Sequence, residues 1–394
     1  MRIEPYTSGR RAEWDAFVAA HPYASFRHLS ALFALEAEAG AVNCSLMFYD
    51  DDGRLMGLLP LFEVTQPALR FLRVRTLTGG TQLPGGPLFA PWLSSRRQRA
   101  ALADLMAHLA HLARDRGAEQ VSISYPSVVG ERTSIEHFGY LPLKPFGYRE
   151  LNTVGLLLDL RAGIESLWMR LNASCRNKIR RAEREGAQFH RVEDRQEWLD
   201  CYDLNVQTLG PQCLSRGTME LVWDEFVPSG LATVGAAKVG GQIASVVVVV
   251  GRGTSCYYWF SFNRRPLPLP GANNLALWHS ILLWQGRGAR FFELGSMEFG
   301  NPRQEHIATF KESFGGTPCY TLGGVLELKP SRRALRELLS LAWARLARRR
   351  ASSKLGEATE PEASELEHHH EGRPVSSGSD VARPSRPGDL LVPR

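Results

Sequence analysis

The same succession of local patterns occurs twice along this chain, and a repeat of that length dictates architecture before any single residue is weighed. In the first half, the apolar runs VNCSLMFYD and LMGLLPLF flank Asp51-Asp52-Gly53-Arg54, which reads as a β-hairpin. In the second, LATVGAAK and IASVVVVV flank Val239-Gly240-Gly241-Gln242, and the β-branched run Val246 to Val250 is strong strand material. After an irregular stretch, each half continues into a helix that ends in Arg-Gly-Ala and runs directly into a strand. Leu102, Met106, Leu109 and Leu112 line one face of the first helix, and Leu277, Ile281 and Trp284 one face of the second. Gly117 and Gly288 sit where helices stop. The hairpins are offset by 188 residues and the helix ends by 171, which suggests two copies of one unit with different insertions. A further strand, Ser255 to Phe262, extends the second hairpin into an antiparallel meander. A helix-linked strand joining that meander makes a mixed sheet with a crevice where the strand order switches.

With 394 residues, 44% apolar and 22% charged, the chain is globular in composition and too long for one typical core. The expected organisation is an N-terminal domain over 1–150, a C-terminal domain over 151–330, a basic helix over 331–350 and a disordered tail over 351–394. Charge is distributed unevenly. Seven arginines stand against Glu337 in 331–350, whereas the tail holds five basic and eight acidic residues. The tail is rich in Pro, Ser and Gly and nearly free of aromatic residues, so it has too little apolar area to offset the entropy of ordering. Its histidines His368 to His370 lack a second shell to fix metal geometry, and no metal is expected. Six cysteines without a C-x-x-C pair suit a reducing compartment. The charged start MRIEPYTSGRRAEW is unlike a signal peptide, and no stretch approaches a membrane span. The expectation is a cytoplasmic protein.

Three segments together resemble FemAB-related aminoacyltransferases of the GNAT superfamily. LNASCRNKIRRAEREG, from Leu171 to Gly186, is similar to the R-N-x-I-R-x-A-x-x-x-G stretch that opens their second domain. Gly240, Gly241, Ile243 and Ala244 match their G-G-x-x-[IV]-A hairpin, and FFELGSMEFGNPRQEHIATFKESFGG resembles their closing signature. The resemblance covers about 1–330. It implies an α/β fold of two tandem GNAT-like (acyl-CoA N-acyltransferase-like) domains with mixed sheets. It also implies an N-acyltransferase that moves an activated acyl group onto an amine. FemAB proteins take amino acids from aminoacyl-tRNA and add them to peptidoglycan precursors, while other members of the superfamily use acyl-CoA. The donor is therefore expected as a co-substrate, aminoacyl-tRNA or acyl-CoA, with no tightly bound cofactor. The acyl-CoA users carry a phosphate loop of the form [QR]-x-x-G-x-[GA]. Here Pro266, Pro268 and Pro270 stand in its place and have no N–H to offer. Gly271 to Asn274 still precede a helix N-terminus, a favourable anion position.

Acyl transfer needs an amine nucleophile, donors for the oxyanion and a route for protons. Lys311 matches the family's Phe-Lys and can polarise a carbonyl or pair with a phosphate; its alternative is a solvated helix position. Glu293, beside aromatic residues at a strand end, is a general base, a substrate-amine ligand or half of a structural ion pair. These two are the expected catalytic pair. Substrate contacts are expected from Ser296 and Glu298 in the following loop, from Tyr258 on the meander strand, from Asn205 before Leu209-Gly210-Pro211, and from Asn273 and Asn274 at the helix start. Arg176 and Arg180, four residues apart on a helix of net charge +4 between Arg170 and Glu185, are expected to attract phosphate.

The expected acceptor is an amine of a cell-envelope or exopolysaccharide precursor, at the cytoplasmic face of a bacterial membrane. The 331–350 helix, basic and amphipathic, suits an anionic membrane surface. Two rival functions remain: a non-catalytic GNAT-fold partner protein of an envelope assembly system, and an RNA-binding module. Basic residues interleaved with aromatics, which RNA platforms use, are missing here, so nucleic acid is expected only as a tRNA donor.

Overall fold

The computed structural model describes residues 1–331 and Leu338, apart from residues 70, 71, 82 and 301, and residues 1–331 fall within one compact unit. The basic helix expected over 331–350, the tail and its histidines lie outside the described residues. Among the described residues, no helix is long and apolar enough to cross a membrane.

The second half is built on a seven-stranded sheet in the order Gln188–Val192, Ala232–Val239, Gln242–Arg252, Ser255–Asn263, Phe291–Ser296, Thr153–Asp159 and Thr317–Thr321. The valine run explains its layering. Val247 and Val249 face a core formed with the helices Ala173–Arg184 and Ala272–Gly286. Val246, Val248 and Val250 face another, formed with Trp198, Val222, Trp223 and Phe226 of the opposite helical layer. All five are essentially inaccessible to water, so this strand has no polar face and needs none. Burying each valine contributes roughly 1.5–3 kcal/mol. Helix Ala272–Gly286 begins at Gly271, whose φ is +95° and whose Cβ, if present, would lie 2.4 Å from the Lys178 carbonyl oxygen. Only glycine lets the two helices approach this closely.

The first half holds a four-stranded sheet, Arg2–Pro5, Leu46–Tyr49, Leu55–Leu59 and Leu88–Phe89. Its six-stranded sheet runs Arg149–Glu150, Gly323–Glu327, Gln120–Ser124, Leu72–Thr78, Phe62–Leu69 and Val42–Asn43. Both expected hairpins are present, as are both helices, Ser95–Asp115 and Ala272–Gly286, each followed by its strand. Gly117 and Gly288 both take positive φ after those helices.

The segment expected to belong wholly to the second half differs in one respect. Strand Gly323–Glu327 pairs with Gln120–Ser124 in the first half's sheet, and Arg149–Glu150 joins it there. The chain crosses between sheets at two adjacent places, and Leu151 N–H donates to the Gly323 carbonyl at 2.8 Å where they meet. A pattern of alternating residues defines a strand but not which sheet receives it. Residues 26–35 of the first half likewise complete the second half's core, through Phe26, Leu32 and Leu35.

Candidate active site

The seven-stranded sheet has one parallel pair, Ser255–Asn263 beside Phe291–Ser296, and it is paired over three positions only, the last being Tyr257 opposite Glu293. Beyond that point both strands continue but no longer bond to each other. A bulge against Gln242–Arg252 between Val248 and Val249 turns the outgoing strand away. The gap widens into a cleft of about 730 Å³ lined by Thr208, Tyr257, Tyr258, Asn273, Arg265, Arg303, His306 and Lys311, among others. Its cationic side chains are not matched by any lining acid. Helix Ala272–Gly286 starts beside it, where Asn273 lines the cleft, with no side-chain cap; Ala272 N–H donates to the Leu269 carbonyl at 3.2 Å, and the remaining first-turn amides are a receptor for negative charge.

Lys311 is held on helix Pro302–Glu312, whose Ala308 is buried and whose Phe310 packs edge-on against Phe314 at 5.3 Å. Its Nζ donates to the Ser296 carbonyl at 2.7 Å. Burial lowers its pKa to about 8, against the opposing influence of Glu298. A Cβ built on Gly295, where φ is +80°, would lie 3.0 Å from the Tyr257 hydroxyl and 3.4 Å from Lys311 Nζ. The two polar tips therefore close on one bare stretch of backbone at the mouth of the splay. Burial raises the Tyr257 pKa, Arg27 opposes the shift, and Glu293 and Glu298 add to it.

Behind Tyr257 lies a smaller chamber of about 160 Å³, lined by Arg27, Ser127, Thr153, Gly155, Glu293, Gly295, Ser296, Cys319 and Thr321 among others. Glu293 occupies it as an ion pair. Arg27 Nη2 donates to Glu293 Oε2 at 3.0 Å, the Ser127 hydroxyl donates to the same oxygen, and the two charged side chains are only 5% and 4% exposed. Arg27 is presented by the turn Phe26–His28, fixed by Arg27 N–H to Ser25 Oγ at 3.2 Å and Ser25 N–H to His28 Nδ1 at 3.2 Å. Its guanidinium lies over the rings of Phe26 and Tyr257, at 5.0 and 4.9 Å.

The expected catalytic residues thus sit in adjoining spaces, Lys311 in the cleft and Glu293 in the chamber, with Tyr257 lining both. Ser296 lines the chamber, and its backbone anchors Lys311. Glu298 is exposed and accepts from Gln304. Tyr258 and Asn273 line the cleft. The Tyr258 hydroxyl donates to Ser261 at 2.6 Å, and burial pushes its pKa up to about 12.

Four expected substrate contacts lie elsewhere. Asn205 is fully buried and exchanges hydrogen bonds with the backbone of Leu214, so it braces the loop whose neighbours Thr208 and Leu209 line the cleft. Asn274 is buried against the Cys175 sulfur, at 3.4 Å. Arg176 donates to the carbonyls of Met169 and Leu171 and so caps the preceding helix. Arg180 covers the Trp168 ring at 5.3 Å. These arginines share a helix whose other face is core, so helical spacing shows a basic stripe without showing what that stripe touches. Arg27 and Ser127 escaped the sequence reasoning, and Tyr257 was not among the expected substrate contacts. Arg27 and Ser127 are far from Glu293 in sequence, and only the adjacency of Tyr257 and Tyr258 on a strand hinted that one of them faces inward.

Residues 170–303 match the family described as the acetyltransferase (GNAT) domain. Over those residues the chain is similar to a GNAT acetyltransferase domain, and its fold is like that of FemX. Across 85% of this chain and 100% of the other, it is similar to FemX, at 15% identity and a TM-score of 0.62. It is also similar to L-PGS from Bacillus licheniformis, at 15% identity, 83% and 96% coverage and a TM-score of 0.51. No curated protein matches the sequence. At such identities the likeness to solved structures is one of fold. The strand splay, the bulge and the helix opening beside it are the features of this chain that the acyltransferase domain encloses.

Proposed function

We propose that this protein transfers an acyl or aminoacyl group, from acyl-CoA or aminoacyl-tRNA, to an amine of a cell-envelope component. The observation that carries this reading is the convergence of Lys311 Nζ and the Tyr257 hydroxyl beside Gly295, at the point where the parallel strands part. The donor's anionic portion lies in the cleft among Arg265, Arg303 and the open helix start at Asn273. Three prolines in the preceding loop remove amide donors, which favours a donor held by side chains and helix end over one wrapped in a glycine-rich loop. The resemblance to FemAB-related proteins, together with the FemX-like fold, supports the aminoacyl donor and the envelope acceptor.

The acceptor nitrogen attacks the donor carbonyl; its bond to carbon forms while the carbon–sulfur or carbon–oxygen bond to the carrier breaks. Lys311, as ammonium, keeps one N–H on Ser296 and turns another to the developing oxyanion. An amine bound as ammonium first loses one proton to water; on amide formation it releases a second to the carboxylate of Glu293, and the carrier leaves with the electron pair, as thiolate or, taking up that proton, as hydroxyl.

Purified protein incubated with radiolabelled acyl-CoA and, separately, with charged tRNA, each with amine-bearing envelope precursors, tests the reading. The expected result is label transfer from one donor, lost in Lys311→Ala with the fold intact. Absence of transfer from both donors, or full activity in the variant, overturns it.

A further inference from the structure

The chamber behind Tyr257 contains an imbalance. Arg27 is 95% buried, yet its Nε has no hydrogen-bond partner. Leaving a guanidinium N–H orphaned in a buried site is costly, and such a group calls for a partner. Across the same space, Glu293 receives both its hydrogen bonds on Oε2, and none reaches its Oε1 among the described residues. A cationic donor and an anionic acceptor thus stand unused on two side chains that line a space of about 160 Å³, which shares Tyr257 with the cleft.

We infer that this chamber binds the acceptor, and that the acceptor presents an amine together with a free carboxylate, as the end of an amino acid does. The amine is held by Glu293 Oε1 and the carboxylate by Arg27 Nε. Charge balance selects this ligand class. The Arg27–Glu293 pair is neutral, so a zwitterion enters without adding net charge to a desolvated site, whereas a phosphate dianion leaves an excess negative charge there. Volume agrees with it, because about 160 Å³ admits the end of an amino acid. The inference rests on the transferase reading for the meaning of acceptor, but the binding it predicts does not require a donor.

Isothermal titration of the full chain, without donor, tests it with L-alanine, D-alanine, alaninamide, propionate and O-phosphoethanolamine as probes. The free amino acids are expected to bind at least about tenfold more tightly than alaninamide or propionate, the scale of one charge-assisted hydrogen bond. Arg27→Lys keeps the charge but removes Nε, and is expected to abolish the preference for acid over amide. Glu293→Gln is expected to abolish the preference for alanine over propionate, with circular dichroism confirming the fold of each variant. Equal binding of alaninamide and alanine by the unaltered protein overturns the inference without recourse to any variant. So does tighter binding of O-phosphoethanolamine, or no binding of any probe. Label transfer in the donor assay without amino-acid binding here overturns the chamber alone and leaves the transferase reading standing.

Discussion

The two halves of this molecule each pair a strand in parallel, over three positions, with the strand that follows their long helix: Thr76–Thr78 with Gln120–Ser122 in the first, Ser255–Tyr257 with Phe291–Glu293 in the second. What happens next separates them. The first half's strand ends at Thr78, and Gly79 N–H still bonds to the Ser122 carbonyl at 3.1 Å, so no splay opens there. The second half's strand continues to Asn263 and leaves a cleft. The first half also has a space beside its helix start, about 610 Å³, lined by Ser95, Gln98 and Arg99 with several aromatic residues and prolines. There, however, the Ser94 hydroxyl accepts from Arg97 N–H and caps the helix, and His21 and His28 spend both ring nitrogens on backbone groups. A helix end that satisfies itself is a scaffold. One without a side-chain cap, beside cations that no lining acid pairs, can receive an anion.

The halves meet at Arg27 and Glu293, and the largest expected effect comes from breaking that joint. Arg27→Ala leaves the Glu293 carboxylate buried with only Ser127, and is expected to cost about 3–5 kcal/mol in urea denaturation. Arg75→Ala, which removes a half-exposed partner of Glu63 in the first half, is expected to cost under about 1 kcal/mol. Similar losses for the two would mean that the joint is solvated.

Next in size is Lys311→Ala, expected to lower turnover by about 10²–10³-fold, the usual worth of one oxyanion donor. Because Lys311 acts as ammonium and its pKa lies at about 8, turnover is expected to fall as pH rises through 8. Lys311→Arg keeps its charge at every accessible pH, so any residual activity should lack that alkaline limb. Turnover rising through pH 8 in the native protein would instead make Lys311 a base.

Smaller again is an effect confined to the first half. Burial lowers the His28 pKa to about 3 from the ordinary 6.5. The unfolded chain therefore binds a proton that the folded one refuses between those values. Stability is expected to drop as pH falls below 6.5, by up to about 1.4 kcal/mol per pH unit from this group. Urea denaturation at pH 7, 6 and 5 measures the slope, and His28→Gln should flatten it.

Much of the fold was legible because hairpin, helix and stop signals are local, and they occur twice. The partition of strands among sheets was not, because Gly323–Glu327 has the same alternation whichever neighbour it takes. In the site, Lys311 was expected from the closing signature, Tyr258 from its strand and Asn273 from its helix start, and all three line the cleft. Asn205 and Asn274 could not be told from ligand-facing residues, because a buried amide bonded within the protein, to the Leu214 backbone or the Cys175 sulfur, has the same sequence signature as one serving a ligand. Glu293 was recognised as costly to bury, but its partners Arg27 and Ser127 lie 266 and 166 residues away. Separations of that size carry no local pattern, so the acceptor chamber emerges only when the halves are brought together.

The smallest expected effect is also the one that most sharpens the contrast. Arg99 lines the first half's space as Arg265 and Arg303 line the second's, beside the exposed ring of Tyr140. If that space were a second donor site, Arg99→Ala and Tyr140→Ala would each reduce turnover, as loss of a phosphate-pairing cation does in the cleft. With the helix capped by Ser94 and the parallel strands unsplayed, no acyl carbonyl can reach a donor there. Both variants are expected to keep turnover within about twofold of the native protein, a barrier change under roughly 0.5 kcal/mol. Arg303→Ala, the matched change in the second half, is expected to raise KM for the donor. A loss in Arg99→Ala equal to that in Arg303→Ala would show that cations alone, and not the opening of the strands, make the site.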